Sequence, residues 1–68
     1  MNDFKWRIDA FDGERHTKAL FQSKRDALTA GAALRKTKAA VFLLELAFTT
    51  QDGRDFFDVV QVIERHQE

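Results

Sequence analysis

Residues 4–14 read Phe-Lys-Trp-Arg-Ile-Asp-Ala-Phe-Asp-Gly-Glu, an alternation of apolar and polar side chains that leads into an Asp-Gly pair. An Asp-Gly pair beside an alternating stretch is a strong signal for a β-hairpin. The same pair recurs at Asp52-Gly53, after a second apolar stretch. Between the two pairs lies a segment with the pattern of a helix. The sequence therefore predicts the order hairpin, helix, hairpin.

The first hairpin is predicted to pair residues 4–11 with residues 14–21 across a two-residue loop at positions 12–13. In this register Arg7 lies directly opposite Lys18. The apolar sides of the two strands coincide, which supports the register because one face can then enter the core. That face holds Phe4, Trp6, Ile8, Thr17, Ala19 and Phe21.

A helix is predicted from about Lys24 to Thr37, in a stretch rich in Ala and Leu and free of proline. Ser23 and the acidic Asp26 have the spacing of a capping box at its start. Basic residues in the last turn complement the helix dipole, so they need no ligand to explain them. The stripe predicted to be buried holds Ala27, Leu28, Gly31 and Leu34.

Residues 40–49 and 55–64 are predicted to be the strands of the second hairpin, which is apolar on both faces. One helix can cover only one face of a sheet, so a second apolar face predicts an interface. With a two-residue turn at positions 52–53 and no bulge, Leu46 is predicted to face Val59. The face assigned to the core holds Phe42, Leu44, Leu46, Phe48, Phe57, Val59 and Ile63, with Gln61 as its polar member. The uncovered face, assigned to a protein interface, holds Val41, Leu43, Ala47, Phe56, Val60 and Val62.

The whole chain, residues 1–68, is predicted to be a single domain of the α+β class. Its order is ββαββ, in which two Asp-Gly β-hairpins form a four-stranded, mainly antiparallel sheet with one helix packed on one face. The helix is long enough to return the chain along one sheet length, so the strands that it joins should be parallel. The sequence does not decide whether those strands are neighbours or have an antiparallel strand between them.

The formal net charge is zero, but the charges are unevenly distributed along the chain. Residues 1–38 hold nine Lys or Arg against five acids, and residues 39–68 hold two against six. Such asymmetry can steer a charged partner or let two copies meet head to tail. The alternative is that the two halves balance each other across one small surface.

The outer face of the first hairpin is predicted to be basic. Basic side chains near the aromatic Phe11 could contact anions or single-stranded nucleic acid, where bases stack on rings. In the alternative interpretation, Asp9 and Glu14 neutralise the cluster and its side chains extend into water. The candidate residues are Lys5, Arg7, His16 and Lys18.

No group of residues in the sequence has the pattern of an active site, so we expect a protein that is not an enzyme. The chain has no cysteine, and its only serine is assigned to the helix cap. Its histidines, His16 and His66, have no recognised metal spacing, and no glycine-rich phosphate loop is present. We expect no metal, no cofactor and no membrane partner, and the cytoplasm as the compartment.

The segment from Phe21 to Leu34, Phe-Gln-Ser-Lys-Arg-Asp-Ala-Leu-Thr-Ala-Gly-Ala-Ala-Leu, is followed by an apolar strand and by Asp-Gly-Arg at residues 52–54. In this order the chain resembles small uncharacterised ββαββ domains of bacteria and their phages. The resemblance spans most of the chain and implies one helix on a sheet. It carries over no functional residues.

The sequence predicts a non-enzymatic protein-interaction module, homodimeric through its open apolar sheet face or bound there to another protein. A two-fold interface needs only one self-complementary patch, so a second copy is the simplest partner. One alternative is a small nucleic-acid-binding protein that uses the basic first hairpin. A further alternative is a phage-type inhibitor that docks on a larger host complex.

Overall fold

The computed structural model describes residues 4–64, which form four strands and one helix in the order ββαββ. The strands are β1 (Trp6–Asp12), β2 (Arg15–Phe21), β3 (Ala40–Thr49) and β4 (Asp55–Val62), and helix α1 (Lys24–Arg35) joins β2 to β3. They make one antiparallel sheet in the order β2-β1-β3-β4. The predicted α+β fold is therefore confirmed. His66 lies outside the described residues.

Strand β1 lies inside the sheet, where it pairs with β2 of its own hairpin and with β3 of the second hairpin. Because β2 and β3 are each antiparallel to β1, they run in the same direction, as their connection through a helix predicted. The sequence did not decide whether an antiparallel strand separates β2 from β3. In the structure β1 is that strand. This order leaves β2 and β4 as the two edges of the sheet.

The turn of the first hairpin differs from the predicted one. Asp12 pairs with Arg15, so the loop consists of Gly13 and Glu14. Gly13 has φ +66°, and no other residue of this turn has positive φ, which fits a turn that requires glycine at its first central position. The loop lies one residue further along the chain than predicted. The register shifts accordingly, while each side chain keeps its predicted face.

Helix α1 begins as the sequence predicted. The Ser23 hydroxyl accepts a hydrogen bond from the backbone N–H of Asp26 at 3.1 Å. The helix ends at Arg35, before the predicted Thr37. Its buried stripe is confirmed, because Ala27 and Gly31 are buried, and Leu28 and Leu34 pack against the core.

The second hairpin has a longer loop than predicted and is irregular. Thr49 pairs with Asp55, and the Thr50 N–H donates to the Arg54 carbonyl at 2.8 Å within the loop. The pairing of β3 with β4 shifts register twice, which places an extra residue at Ala47 in β3 and at Val60 in β4. The predicted register without bulges is therefore wrong.

The core lies between α1 and one face of the sheet. The sequence predicted the wrong face of β3 to be part of this core. Leu43 pairs with Ile8, and Val41 pairs with Ala10, so these residues share the helix-covered face. Ile63 does reach the core, because the bulge at Val60 changes the alternation of β4 before it. The core residues are Ile8, Ala10, Ala27, Val41, Leu43 and Ile63.

Candidate interaction surface

The sheet face opposite α1, which we call the open face, is not covered by any element within residues 4–64. Its members follow from the strand registers and from the alternation of side chains along each strand. They are Arg7, Asp9 and Phe11 of β1, His16, Lys18 and Leu20 of β2, Phe42, Leu44 and Leu46 of β3, and Phe57, Val59 and Val62 of β4.

A buried carboxylate lies at the centre of the first hairpin on the open face. Asp9 is 7% exposed and forms an ion pair with Arg7, in which Oδ1 lies 2.8 Å from Nε. Arg7 Nη2 donates a hydrogen bond to Oδ2 at 3.0 Å, and His16 Nε2 lies 3.4 Å from the same oxygen. Charged groups removed from water need partners of opposite sign, and Asp9 has one in Arg7 of its own strand.

Aromatic rings surround this ion cluster. The Phe11 ring stacks on His16 with centroids 4.2 Å apart and meets Phe42 edge-on at 5.8 Å. The Arg7 guanidinium lies over the Phe57 ring, 4.9 Å from its centroid. These contacts extend across all four strands. They fix the side chains of the open face against one another without a second helix.

The centre of the open face is consequently shielded from water by its own side chains. Leu44 lies on this face and is only 4% exposed, although no helix covers it. Among the large apolar residues of the open face, those exposed to solvent lie on the outer strands: Leu20 of β2 at 46%, and Val59 and Val62 of β4 at 58% and 50%. The open face is therefore a preformed surface whose exposed apolar area lies mainly along β4.

The predicted interface residues do not share one face. Val41 and Leu43 are fully buried beneath α1, so their predicted placement on the uncovered face is wrong. Val62 does lie on the open face. Three others are exposed elsewhere on the second hairpin: Ala47 and Val60 at the bulges, and Phe56 stacked on Phe48 with centroids 4.9 Å apart.

The predicted basic cluster is organised around Asp9. Arg7 lies opposite Leu20, and Lys18 lies opposite Asp9, so the predicted opposition of Arg7 and Lys18 is wrong. The structure brings Arg7 and His16 to the carboxylate, whereas Lys5 is exposed at the start of β1. Of the alternative in which Asp9 and Glu14 neutralise the cluster, the structure contains the ion pair of Asp9 with Arg7, whereas Glu14 forms no ion pair within residues 4–64.

Sequence reasoning missed two features of this surface. Val59 was assigned to the core, because both faces of the second hairpin are apolar and alternation did not show which face the helix covers. Asp9 was treated as an ordinary surface acid, although its position among Arg7, His16 and Phe11 in one hairpin offered a hint of a shared cluster.

Within residues 4–64, no three His, Cys, Asp or Glu side chains come together in a way that could hold a metal ion. No helix in the described part of the chain combines the length and the apolar composition needed to cross a membrane. No protein-family model, curated protein or solved structure matches the chain. The function proposed below therefore rests on the geometry of the surface.

Proposed function

We propose that the chain is a non-enzymatic protein-interaction module that forms a homodimer through its open face. The observation that carries the proposal is the half-exposure of Leu20, Val59 and Val62 on a sheet face that no described element covers. Burying apolar side chains in such a position against a partner lowers the free energy, by roughly 25 cal/mol per Å² of area buried.

The rest of the open face suits it to burial. The negative charge of Asp9 is compensated by Arg7, and the rings of Phe11, Phe42 and Phe57 lie against their neighbours. Little side-chain entropy is then lost when a partner docks, because these groups are already held in place. A preformed surface of this kind favours a protein partner.

The same geometry makes nucleic acid the less favoured partner of the first hairpin. Of its candidate basic residues, Arg7 forms an ion pair with Asp9, so the charge of Arg7 is compensated within the chain, whereas only Lys5 and Lys18 have no carboxylate partner among residues 4–64. Electrostatic binding to phosphates depends on uncompensated basic groups.

We place the protein in the cytoplasm, because a chain without cysteine suits a reducing compartment.

Replacing both exposed valines of β4 tests the proposal. We expect the wild-type protein to show a reversible monomer–dimer equilibrium in sedimentation equilibrium. The variant Val59→Lys/Val62→Lys should be monomeric at the same concentrations, because four lysines would enter one interface. Both sites are exposed, so the melting temperature of the monomer should change little.

The matched control is Ala32→Lys, which places a charge on the exposed side of α1 and should leave the dimer unchanged. A wild-type protein that is monomeric at every concentration contradicts the proposed homodimer. So does a double-lysine variant that still dimerises.

A further inference from the structure

The two edges of the sheet carry charged residues of opposite sign, and Arg15 and Lys18 on β2 and Asp58 on β4 form no ion pair within residues 4–64. On β2, no carboxylate of residues 4–64 lies within the 4.0 Å ion-pair distance of Arg15 or Lys18. On β4, Asp58 lies directly opposite Glu45, and neither has a cationic partner among the described residues. Like charges directly opposite each other destabilise a strand pair. Within residues 4–64, β2 therefore presents positive charges without an ion-pair partner, and Asp58 of β4 presents a negative charge without one.

We propose that β4 of one copy pairs antiparallel with β2 of a second copy, and that the contact is made twice about a two-fold axis parallel to the strands. This rests on the proposed function, since it specifies how the homodimer forms. Strands β1 and β4 run in one direction and β2 and β3 in the other, so β4 beside a second β2 continues the alternation. Two four-stranded sheets then close into a ring of eight antiparallel strands.

Closure of the eight-stranded ring explains features of the monomer that one contact between β4 and β2 would not explain. The ring has no free edge, which removes the exposed backbone groups of β2 and β4. The helices lie outside, and the open faces line the interior, where an eight-stranded barrel is filled by side chains. The exposed Leu20, Val59 and Val62 become interior residues. Asp9 enters the interior with its charge already compensated by Arg7.

One antiparallel register places residues of opposite charge together on both faces of the contact. When Asp58 lies opposite Arg15 of the second copy, Asp55 necessarily lies opposite Lys18. Asp58 and Arg15 belong to the helix side of their strands, whereas Asp55 and Lys18 belong to the open side, so each pair shares a face.

This register is also staggered. Asp58 pairs with Glu45, and Glu45 pairs with Trp6, so Asp58 lies at the height of Trp6 at the start of β1. Arg15 pairs with Asp12, at the other end of β1. The contact therefore shifts the strands along each other, and a barrel closes only when its strands tilt and their register is shifted in this way.

Exchanging the charges of one pair tests the contact. We expect Asp58→Arg and Arg15→Glu each to weaken the dimer by about tenfold in sedimentation equilibrium, because each change replaces an attraction by a repulsion at two symmetric contacts. The combined variant Asp58→Arg/Arg15→Glu should regain the wild-type dimerisation constant, and so should an equimolar mixture of the two single variants. The wild-type dimer should also weaken as the salt concentration rises.

Folding defects can be separated from lost contacts. Asp58→Arg places a cation opposite Glu45, so the monomer should be at least as stable as the wild type in thermal unfolding. As a matched control, Arg25→Glu changes an exposed charge on α1, outside the proposed ring, and should leave dimerisation unchanged.

Loss of the dimer in both single variants and its return in the combined variant supports the proposed strand contact. If the single variants dimerise normally while Val59→Lys/Val62→Lys is monomeric, the open face forms the dimer in another way and the edge contact is overturned. If the combined variant stays as weak as the single ones, the assigned pairing is overturned. A wild-type protein that never dimerises overturns both this contact and the homodimer itself.

Discussion

At the scale of single residues, Asp9 shows how a charged group can be buried on a sheet face that no helix covers. Its neighbours in the hairpin supply both compensation and cover: Arg7 forms the ion pair, and His16 approaches from β2 while its ring stacks on Phe11. The side chain of Asp9 is 10% exposed, and that of Arg7 is 24% exposed, so the pair is only weakly screened by water.

Asp9→Asn should lower the free energy of unfolding by about 2 kcal/mol, because the guanidinium of Arg7 loses its counter-charge where water reaches it poorly. Urea denaturation of the purified variant measures the change. The matched control is Asp52→Asn, which removes an ion pair to Arg54 in an exposed loop. We expect that change to cost less than about 0.5 kcal/mol. Equal losses in the two variants would contradict the structural role given to Asp9.

The charged pairs of the first hairpin were only partly predictable. The sequence places Arg7, Asp9, His16 and Lys18 on one face, and the structure agrees. The residues that lie opposite each other depended on the loop, and Gly13-Glu14 rather than Asp12-Gly13 forms it. The choice between these loops reflects the backbone angles that each turn needs, which the Asp-Gly signal alone does not distinguish.

At the scale of secondary-structure elements, α1 was the most predictable part of the chain. Its start depends on the hydroxyl of Ser23, which satisfies one of the N–H groups that a helix leaves unpaired at its first turn. The signal is local, since the cap and its partner are separated by only a few residues. Local signals survive in the sequence without knowledge of the remaining fold.

Ser23→Ala should destabilise the protein by about 1 kcal/mol, because the N–H of Asp26 loses its acceptor. Thermal unfolding followed by circular dichroism measures the loss. Thr29→Ala is the control, since that hydroxyl donates to the carbonyl of Arg25 within the helix and caps nothing. Removing it should leave stability unchanged or slightly higher. A cost for Ser23→Ala no larger than that for Thr29→Ala would show that the cap contributes nothing.

The second hairpin shows the limit of prediction for a strand pair. Both faces of β3 are apolar, so alternation could not decide which face packs against the helix. The bulges at Ala47 and Val60 then changed the alternation within the pair. Bulges depend on how a strand twists against its neighbours, and no residue type in these strands announces them.

At the scale of the whole molecule, Gly31 is where the helix, β1 and the end of the second hairpin meet. A Cβ atom added at this glycine would lie 3.1 Å from Ile8 Cδ1 and 3.3 Å from Ile63 Cγ1. Both isoleucines are buried in the core. The absence of a side chain at Gly31 sets how closely α1 approaches the sheet.

Gly31→Ala should therefore destabilise the protein by about 1 kcal/mol, because the cost of overpacking exceeds the gain in helix propensity. Ala32→Gly on the exposed side of α1 serves as the reference, since it changes helix propensity alone. Chemical denaturation of both variants measures the two effects. If Gly31→Ala stabilises the protein, the isoleucines move aside easily and the close approach is not a constraint.

The sequence by itself determined the elements: two hairpins, a capped helix with a buried stripe, and the side on which each residue of the first hairpin lies. These follow from turn chemistry, capping and periodicity, which act over a few residues. The tertiary structure alone decided that β1 lies between β2 and β3, and the pairing of β1 with β3 reversed the face assignment of β3. It also placed the basic β2 and the acidic β4 at opposite edges. Such pairings join segments far apart in the chain, where many alternatives bury similar apolar area and only the complete packing distinguishes them.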